Sequence, residues 1–441
     1  MSHRRFERKA LAVPSSRLSR LSRLGGLVSS IAGGVAADAA RRFARGERPS
    51  MEDLLLTPAN AMKLADELAR MRGAAMKVGQ LISMDAGDML PPEMAAILAR
   101  LRSEAHHMPW VQLKRVLDRA WGVEWRQEKF AEFDTHPIAA ASIGQVHRAR
   151  THDGHELAIK VQYPGVRASI DSDVDNVATL IRLAGLVPKA IDIAPMLAEA
   201  KRQLHEEADY ECEGRRLAEF GALLADRPEF CTPELYADLT RKNVLAMSYV
   251  QGVPIDDLVA APQAERDRAM TLLIGLLFRE LFEFRLMQTD PNFANYLYAP
   301  ASGRIVLLDF GATRAFPAEF VDLYRRLLRA GLDGDRAGLR AAALELGFWD
   351  EDTPAPLEQA MLEMFEMSIQ PLRQAAPFDF GATDLALRMR DAGVAMAGYR
   401  EHFRIPPINA LFLQRKFGGI YLLATRLGAR VDLRAQIAPH L

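Results

Sequence analysis

The stretch QTDPNFANYL, residues 288–297, is followed by VLLDFG at 306–311, so that Asp290, Asn295 and Asp309 each stand beside a short apolar run. Carboxylates and amides bunched next to apolar strands serve a cation or a proton. Which of the two applies depends on what surrounds them along the chain.

Working outward, the chain of 441 residues is 49% hydrophobic and 26% charged, ordinary for a globular protein with one large domain and appendages. Lys and Arg number 56 against 57 Asp and Glu, a formal charge of -1, which argues against a nucleic-acid binder and leaves only local electrostatic partners. The two cysteines, Cys212 and Cys231, lack CxxC spacing and fit a reducing compartment, so a cytoplasmic protein is expected. The most apolar helical candidate, 271–287, is broken by Arg279, Glu280, Glu283 and Arg285, and no transmembrane helix is expected. Residues 1–49 differ: Arg4, Arg5, Arg8, Lys9, Arg17, Arg20 and Arg23 meet almost no acid. A flexible basic tail, a transit peptide and a membrane-surface helix all fit this start, and peripheral membrane contact stays open with them.

Periodicity divides the rest. Residues 50–124 read as a helical extension, with Leu54, Leu55, Ala61, Leu64, Leu68 and Met71 at three- and four-residue steps, a helix from Pro92, and another, PWVQLKRVLDRAWG, ending at Gly122. In residues 125–251 the segment PIAAASIGQVHRARTHDGHELAIKVQYPG reads as a hairpin turning at Asp153-Gly154. A helical tract from about 192 to 225 follows, then strands PELYAD and NVLAMSYV. Residues 252–441 begin with a helix over 263–288, pass through the loop carrying Asp290, and look helical beyond Pro317.

A hairpin, a Lys on its second strand and a later Asp-rich loop pair are the parts that hold a nucleoside triphosphate. LAIK at 157–160 supplies Lys160, an ammonium in an apolar strand that needs a carboxylate or phosphate. A helix with Glu206, Glu207, Asp209, Glu211 and Glu213 follows at a distance that permits pairing. Asp290 and Asn295 are separated by four residues, as in a kinase catalytic loop, and Asp309 heads Asp-Phe-Gly. Asp290 would then orient or deprotonate a nucleophile, with Asn295 and Asp309 as hard oxygen ligands to Mg2+. The chain departs from an ordinary protein kinase in lacking His-Arg-Asp and Ala-Pro-Glu, and in carrying AAASIGQ at 139–145 where a Gly-rich loop would stand. Alanine methyls narrow both the approach of backbone N–H groups to phosphate and the access to positive φ, so this loop should alter nucleotide preference.

These residues resemble the UbiB/AarF-type atypical kinase-like family, associated with coenzyme Q synthesis. The resemblance spans about 74–311 and rests on KVGQ, AAASIGQVHRA, LAIKVQYPG, EADYECEG, QTDPNFANYLY and LLDFGA. It implies that Lys77 and Gln80 belong to a Lys-x-Gly-Gln motif and that Ala139, Ala140, Ala141, Ser142, Ile143 and Gly144 form an Ala-rich nucleotide loop. Lys160 would bind phosphate and pair with Glu213, and Glu207 and Asp209 would form the Glu-x-Asp motif. Lys77, held by Glu207, would close the groove that receives a protein substrate, favouring small or lipid-like acceptors. Gly214 stands where the family often has Ala, a minor change on a helix. Transmembrane helices found in several members have no counterpart here, which puts intrinsic anchoring in doubt.

Adenine is expected beside AMSYVQG, with Met247 as a wall and the backbone of Ser248 and Val250 as acceptor and donor. His106-His107 and His152 with His155 lack a third ligand for a metal, MLEMFEM at 361–367 reads as helix core, and Cys212 has no basic partner. The expectation is therefore an α+β, two-lobed protein-kinase-like fold with an N-terminal helical extension and a mostly helical C-lobe. Its activity would be Mg2+-dependent binding of ATP or ADP with hydrolysis or phosphotransfer, serving ubiquinone or other lipid metabolism. The alternative is a nucleotide-gated module that presents an isoprenoid or quinone-like lipid with little phosphotransfer. Acceptor and oligomeric state stay open.

Overall fold

In the computed structural model the described residues are 74, 107–141, 143–183, 193–396, 398–399 and 406–441. The expectations for residues 1–49, for the helices at 50–71 and from Pro92, and for Lys77 and Gln80 lie outside them. Two compact units result: one runs to Arg215 and takes up Glu234–Tyr249, and the other holds Arg216–Pro233 and Val250–Leu441.

In the first unit, α1 (Trp110–Trp121) stops at Gly122, whose φ of 93° suits a residue without Cβ. Helix α2 (Trp125–Lys129) leads into β1 (Phe130–Phe133), followed by β2 (Ala139–Ala140), β3 (Gly144–Thr151) and β4 (Glu156–Gln162). The β3–β4 hairpin turns at Asp153-Gly154 as the sequence indicates, with Gly154 at φ 91°. Three helices follow, α3 (Val166–Leu183), α4 (Ala194–Glu207) and α5 (Tyr210–Leu223). Strand β5 (Phe230–Cys231) belongs to the second unit, and β6 (Val244–Ser248) returns to pair with β4, completing an antiparallel sheet ordered β1-β3-β4-β6 with β2 on β3.

Side chains alternate across a strand. Leu157, Ile159 and Val161 of β4 therefore join Leu113, Val116, Leu117 and Trp121 of α1 in one core. Trp125 closes it, with ring centroids 5.7 Å from Trp121 and 4.9 Å from Phe133. Ala158, Lys160 and Gln162 occupy the opposite face, where Gln162 Nε2 donates to the Ala208 carbonyl at 3.1 Å. Both faces are covered, which is why LAIKVQ reads as a nearly continuous apolar run.

Two sequence expectations need correction here. The tract expected from about 192 to 225 is broken at 208–209, where Asp209 Oδ1 accepts the Cys212 N–H at 3.0 Å and caps α5. PELYAD is not a strand: it makes one isolated bridge, Leu235 opposite Met247, and then a 3-10 turn, Ala237–Leu239, in which the Thr240 hydroxyl donates back to the Tyr236 carbonyl at 2.9 Å.

The second unit adds β7 (Val253–Pro254), α6 (Gln263–Arg279), β8 (Leu286–Gln288), β9 (Tyr296–Ala299), β10 (Arg304–Leu307) and β11 (Thr313–Ala315). Helix α6 widens into a π-helical turn, Glu280–Phe284, that ends at Arg285 with φ 51°, so the helix expected to reach 288 instead becomes β8. Strands order β5-β10-β9-β7 in one sheet and pair β8 with β11 in another. Beyond Pro317 come α7 (Ala318–Asp333), α8 (Arg336–Glu345), α9 (Ala355–Ile369), β12 (Phe378–Asp379), α10 (Leu385–Ala395), α11 (Ile408–Leu427), β13 (Arg430–Val431) and α12 (Leu433–Ile437). The β12–β13 pair makes this region mostly rather than wholly helical. Helices α6, α7 and α11 share an aromatic core in which Phe417 lies 6.1 Å from Phe278 and 6.4 Å from Tyr324.

Candidate functional site

Two hairpins, one inside the other, build the site of the second unit. The outer pair sets Leu286 opposite Ala315 and Gln288 opposite Thr313. The inner pair sets Tyr296 opposite Leu307 and Ala299 opposite Arg304. Thr289 donates to the Ala312 carbonyl through both its N–H, at 2.9 Å, and its hydroxyl, at 2.8 Å. The Leu308 N–H donates to the Asn295 carbonyl at 3.0 Å. Asp290 and Asn295 thus lie in one connection between the hairpins and Asp309 in the other, and closing the inner hairpin makes Asn295 and Asp309 neighbours. Short apolar strands flank each residue because the strands have to pair.

The side chains are held individually. Asp290 Oδ1 accepts from Arg415 Nη2 at 2.9 Å and Oδ2 from Asn295 Nδ2 at 3.2 Å. Asp309 Oδ1 accepts the Gly311 N–H at 2.9 Å, a turn that opens Asp-Phe-Gly, and Phe310 is buried with its ring 4.9 Å from Phe220. With its nitrogen turned to Asp290, Asn295 presents Oδ1 on its other side. An amide oxygen and a carboxylate suit Mg2+, which takes one or two protein oxygens and completes its shell from phosphate and water. Among the described residues no group of three or more His, Cys, Asp and Glu is gathered for a metal.

Sequence reasoning missed what lies beneath this loop. Lys416 on α11 is 2% exposed, and its Nζ donates to the Gln288 carbonyl at 2.7 Å, Gln288 Oε1 at 3.1 Å and the Tyr296 hydroxyl at 2.8 Å, with Glu280 Oε2 at 3.4 Å. Burial pushes the Glu280 carboxyl up to about 7 even against the lysine. Burial also opposes the Lys416 charge, but Glu280 and Tyr296 outweigh it and raise the lysine above its ordinary value. One turn on, a Cβ at Gly419 would stand 2.0 Å from Pro291 Cβ, so α11 lies directly against the loop that carries Asp290. The only signal in the sequence is a charge pair, Arg415-Lys416, inside an apolar helix.

In the first unit Lys160 Nζ donates to both oxygens of Glu213, at 2.7 and 3.0 Å, with Lys160 7% and Glu213 3% exposed. The ammonium also lies 5.1 Å from the centre of the Tyr210 ring. Glu207 ends α4 and Asp209 caps α5, with Arg167 Nη2 3.9 Å from the Asp209 carboxylate. Ala139 and Ala140 form β2 opposite Val146 and Gln145, the Ala141 N–H donates to the Gly144 carbonyl at 2.9 Å, and the Tyr163 N–H donates to the Ile143 carbonyl at 2.9 Å. Ser142 lies outside the described residues. A Cβ at Gly144 would meet the Val161 carbonyl oxygen at 2.5 Å, so glycine there is a packing necessity. At Gly214 a Cβ would meet Leu235 Cδ1 at 2.9 Å and Leu245 Cδ1 at 3.3 Å, both the far ends of flexible side chains that can give way. Met247 is buried opposite Ala158, the Ser248 N–H donates to the Glu234 carbonyl at 2.8 Å, and Val250 follows the end of β6 in the second unit.

A second polar network runs through the AAASIGQVHRA motif. Gln145 Oε1 accepts the Met108 N–H at 2.8 Å, Gln145 Nε2 lies 2.8 Å from His147 Nε2, and His147 Nδ1 lies 2.8 Å from the Asp134 carbonyl. This arrangement requires neutral His147 with its proton on Nδ1, the Gln145 amide donating to Nε2. Burial lowers its pKa to about 4.

A buried Lys–Glu pair between strand and helix, together with an Asp/Asn loop and an Asp-Phe-Gly turn, belongs to an α+β protein of the kinase-like class. The ABC1 atypical kinase-like domain matches residues 100–343. The chain is 36% identical over 423 residues to the mitochondrial atypical kinase COQ8 of Saccharomyces cerevisiae, covering 96% of this chain and 84% of that protein. It is 37% identical over 436 residues to the mitochondrial atypical kinase COQ8B of Rattus norvegicus, covering 98% and 81%. It is 38% identical over 430 residues to the mitochondrial atypical kinase coq-8 of Caenorhabditis elegans, covering 96% of this chain and spanning 57% of that relative's length. Among solved structures, the complex of Rv3197 with erythromycin from Mycobacterium tuberculosis superposes with a TM-score of 0.62 at 25% identity, covering 87% of this chain and 96% of that one. The chain belongs to the ABC1 atypical kinase-like family, the UbiB/AarF group whose motifs it carries. Among the described residues no helix is long and apolar enough to cross a membrane.

Proposed function

We propose that the chain binds ATP or ADP with Mg2+ and turns it over as an ATPase or phosphotransferase in ubiquinone or other lipid metabolism. The observation that supports this reading is the nested-hairpin pair, in which Asn295 is bonded to Asp290 and its backbone carbonyl accepts from Leu308, the residue before Asp309. A protein that only binds nucleotide has little need of an oriented Asp290. Lys160 would address phosphate, kept extended and charged by Glu213, and the Ala-rich loop 139–144 would shape the phosphate approach. Asn295 and Asp309 would hold Mg2+, which when bound neutralises phosphate charge. Asp290 would orient or deprotonate the attacking hydroxyl or water. Glu207 and Asp209 would act with Lys77, and Met247, Ser248 and Val250 would receive adenine. An isoprenoid or quinone-like acceptor, and membrane contact through residues 1–49, complete the reading.

The test compares two variants of the full chain. Asp309→Asn should abolish Mg2+-dependent nucleotide binding measured by calorimetry. Asp290→Asn should leave binding intact and cut turnover to a small residual rate. Unchanged binding in the first, or parallel loss of both properties in the second, overturns these roles. Nucleotide binding with no turnover by the unsubstituted protein would favour the lipid-presenting alternative.

A further inference from the structure

We propose that Arg415, on α11, is the positioning residue that sets Asp290 for turnover and, through Asp290, keeps the Asn295 carbonyl oxygen turned toward the cation. The inference rests on the nucleotide reading above and adds to it a residue from outside the loop. Asp290 has two oxygens with different partners: Arg415 Nη2 donates to Oδ1 at 2.9 Å and Asn295 Nδ2 to Oδ2 at 3.2 Å. An asparagine side chain has one donor end and one acceptor end, so committing its nitrogen to Asp290 directs its oxygen to the opposite side. Asn295 Nδ2 also donates to the Asp290 backbone carbonyl at 3.4 Å, so rotation of the Asp290 carboxylate would remove the shorter of its two holds and loosen the direction of the oxygen. The guanidinium is what prevents the rotation.

The support behind Arg415 is rigid. Its side chain is 7% exposed whereas that of Asp290 is 22% exposed, so the cation is buried and the carboxylate keeps an open edge. Lys416, the next residue, is bonded to the Gln288 carbonyl at 2.7 Å, and Gly419 admits no Cβ against Pro291. Two residues of α11 therefore fix the loop backbone while a third fixes its acid. Between Asp290 and Asn295 the loop reads PNFA and has no cation of its own, so a counter-charge for Asp290 has to come from another element. A planar guanidinium holds one carboxylate oxygen at a defined angle, which a flexible ammonium does not.

The experiment measures ATP turnover by the full chain against both ATP and Mg2+ concentration for Arg415→Gln, Arg415→Lys, Asp290→Asn and the Arg415→Gln/Asp290→Asn double variant. Metal-free nucleotide binding and thermal melting are measured alongside. Arg415→Gln should lower kcat by about 10- to 100-fold, the scale of a misplaced catalytic group. It should raise the Mg2+ concentration for half-maximal rate several-fold and leave metal-free nucleotide affinity within about twofold. Arg415→Lys should recover part of both effects, and carries the same comparison if the glutamine variant melts early. On the Asp290→Asn background the glutamine should cost less than about twofold more, since residues acting through one another are not additive. Multiplying losses in the double variant, or a fall in kcat with an unchanged Mg2+ requirement, overturns the role of Arg415 alone. Turnover of Asp290→Asn equal to that of the unsubstituted chain overturns the reading of Asp290, and the role of Arg415 with it.

Discussion

Lys160 and Glu213 form a bidentate ion pair, with Nζ 2.7 and 3.0 Å from the two carboxylate oxygens and both residues almost fully buried. Removing one partner takes from the other its bidentate counter-charge in a buried site. Glu213→Gln should destabilise the first unit by about 3–5 kcal/mol, whereas Lys160→Met/Glu213→Leu should cost much less. Denaturant melts of the three proteins check this. Equal costs would mean that packing, not charge, dominates.

Lys416→Met should be costly in the same way, about 3–5 kcal/mol, with a pH signature of its own. The folded Glu280 pKa of about 7 lies above its unfolded value of 4.5, so its contribution to stability is complete below about pH 4.5 and fades as pH rises through 7. Without the lysine that fading steepens. Melting temperatures of Lys416→Met should therefore fall further behind the unsubstituted protein at pH 8 than at pH 5, and Glu280→Gln added to it should remove the difference.

His147 titrates in the opposite sense. Its folded pKa of about 4 lies below the unfolded 6.5, so neutral His147 contributes stability above pH 6.5 that is lost as pH falls through 4. The full loss is on the order of 3 kcal/mol. Protonation would put a hydrogen on Nε2 against the Gln145 amide and break the link to Met108. His147→Phe should be less stable at neutral pH, because Gln145 and Asp134 lose a partner, but should show a flatter melting profile between pH 6.5 and 4.

Gly419→Ala should disturb the catalytic loop from behind. The new methyl would enter Pro291, and overpacking of this kind costs about 1–3 kcal/mol. Turnover should fall more than nucleotide affinity, since Pro291 adjoins Asp290. Equal loss of both, measured by steady-state kinetics and calorimetry, would place the damage elsewhere.

Local signals made the hairpin at 144–162 and the helix ending at Gly122 legible, because turn glycines and side-chain periodicity are written in adjacent residues. The short apolar runs beside Asp290, Asn295 and Asp309 were legible in the sequence, and they are the strands of the two nested hairpins. The π-helical turn after Arg279 was not, because the carboxyl of Glu280 is drawn inward by a lysine far along the chain. PELYAD failed as a strand because Thr240 offers the backbone a local alternative to the ladder. Arg415 and Lys416 were invisible for a related reason: a charge in an apolar helix declares that it has a partner without saying where.

The grip of α11 on residues 288–296 also fixes an order of events during synthesis. A nascent chain that has emerged only as far as residue 407 holds all of Asp290, Asn295 and Asp309 but lacks Arg415, Lys416 and Gly419. The loop would be set late, when α11 docks, so premature stop codons at or before residue 407 but beyond Gly311 should yield molecules that keep Asp290, Asn295 and Asp309 but leave the Asp290 loop without its support.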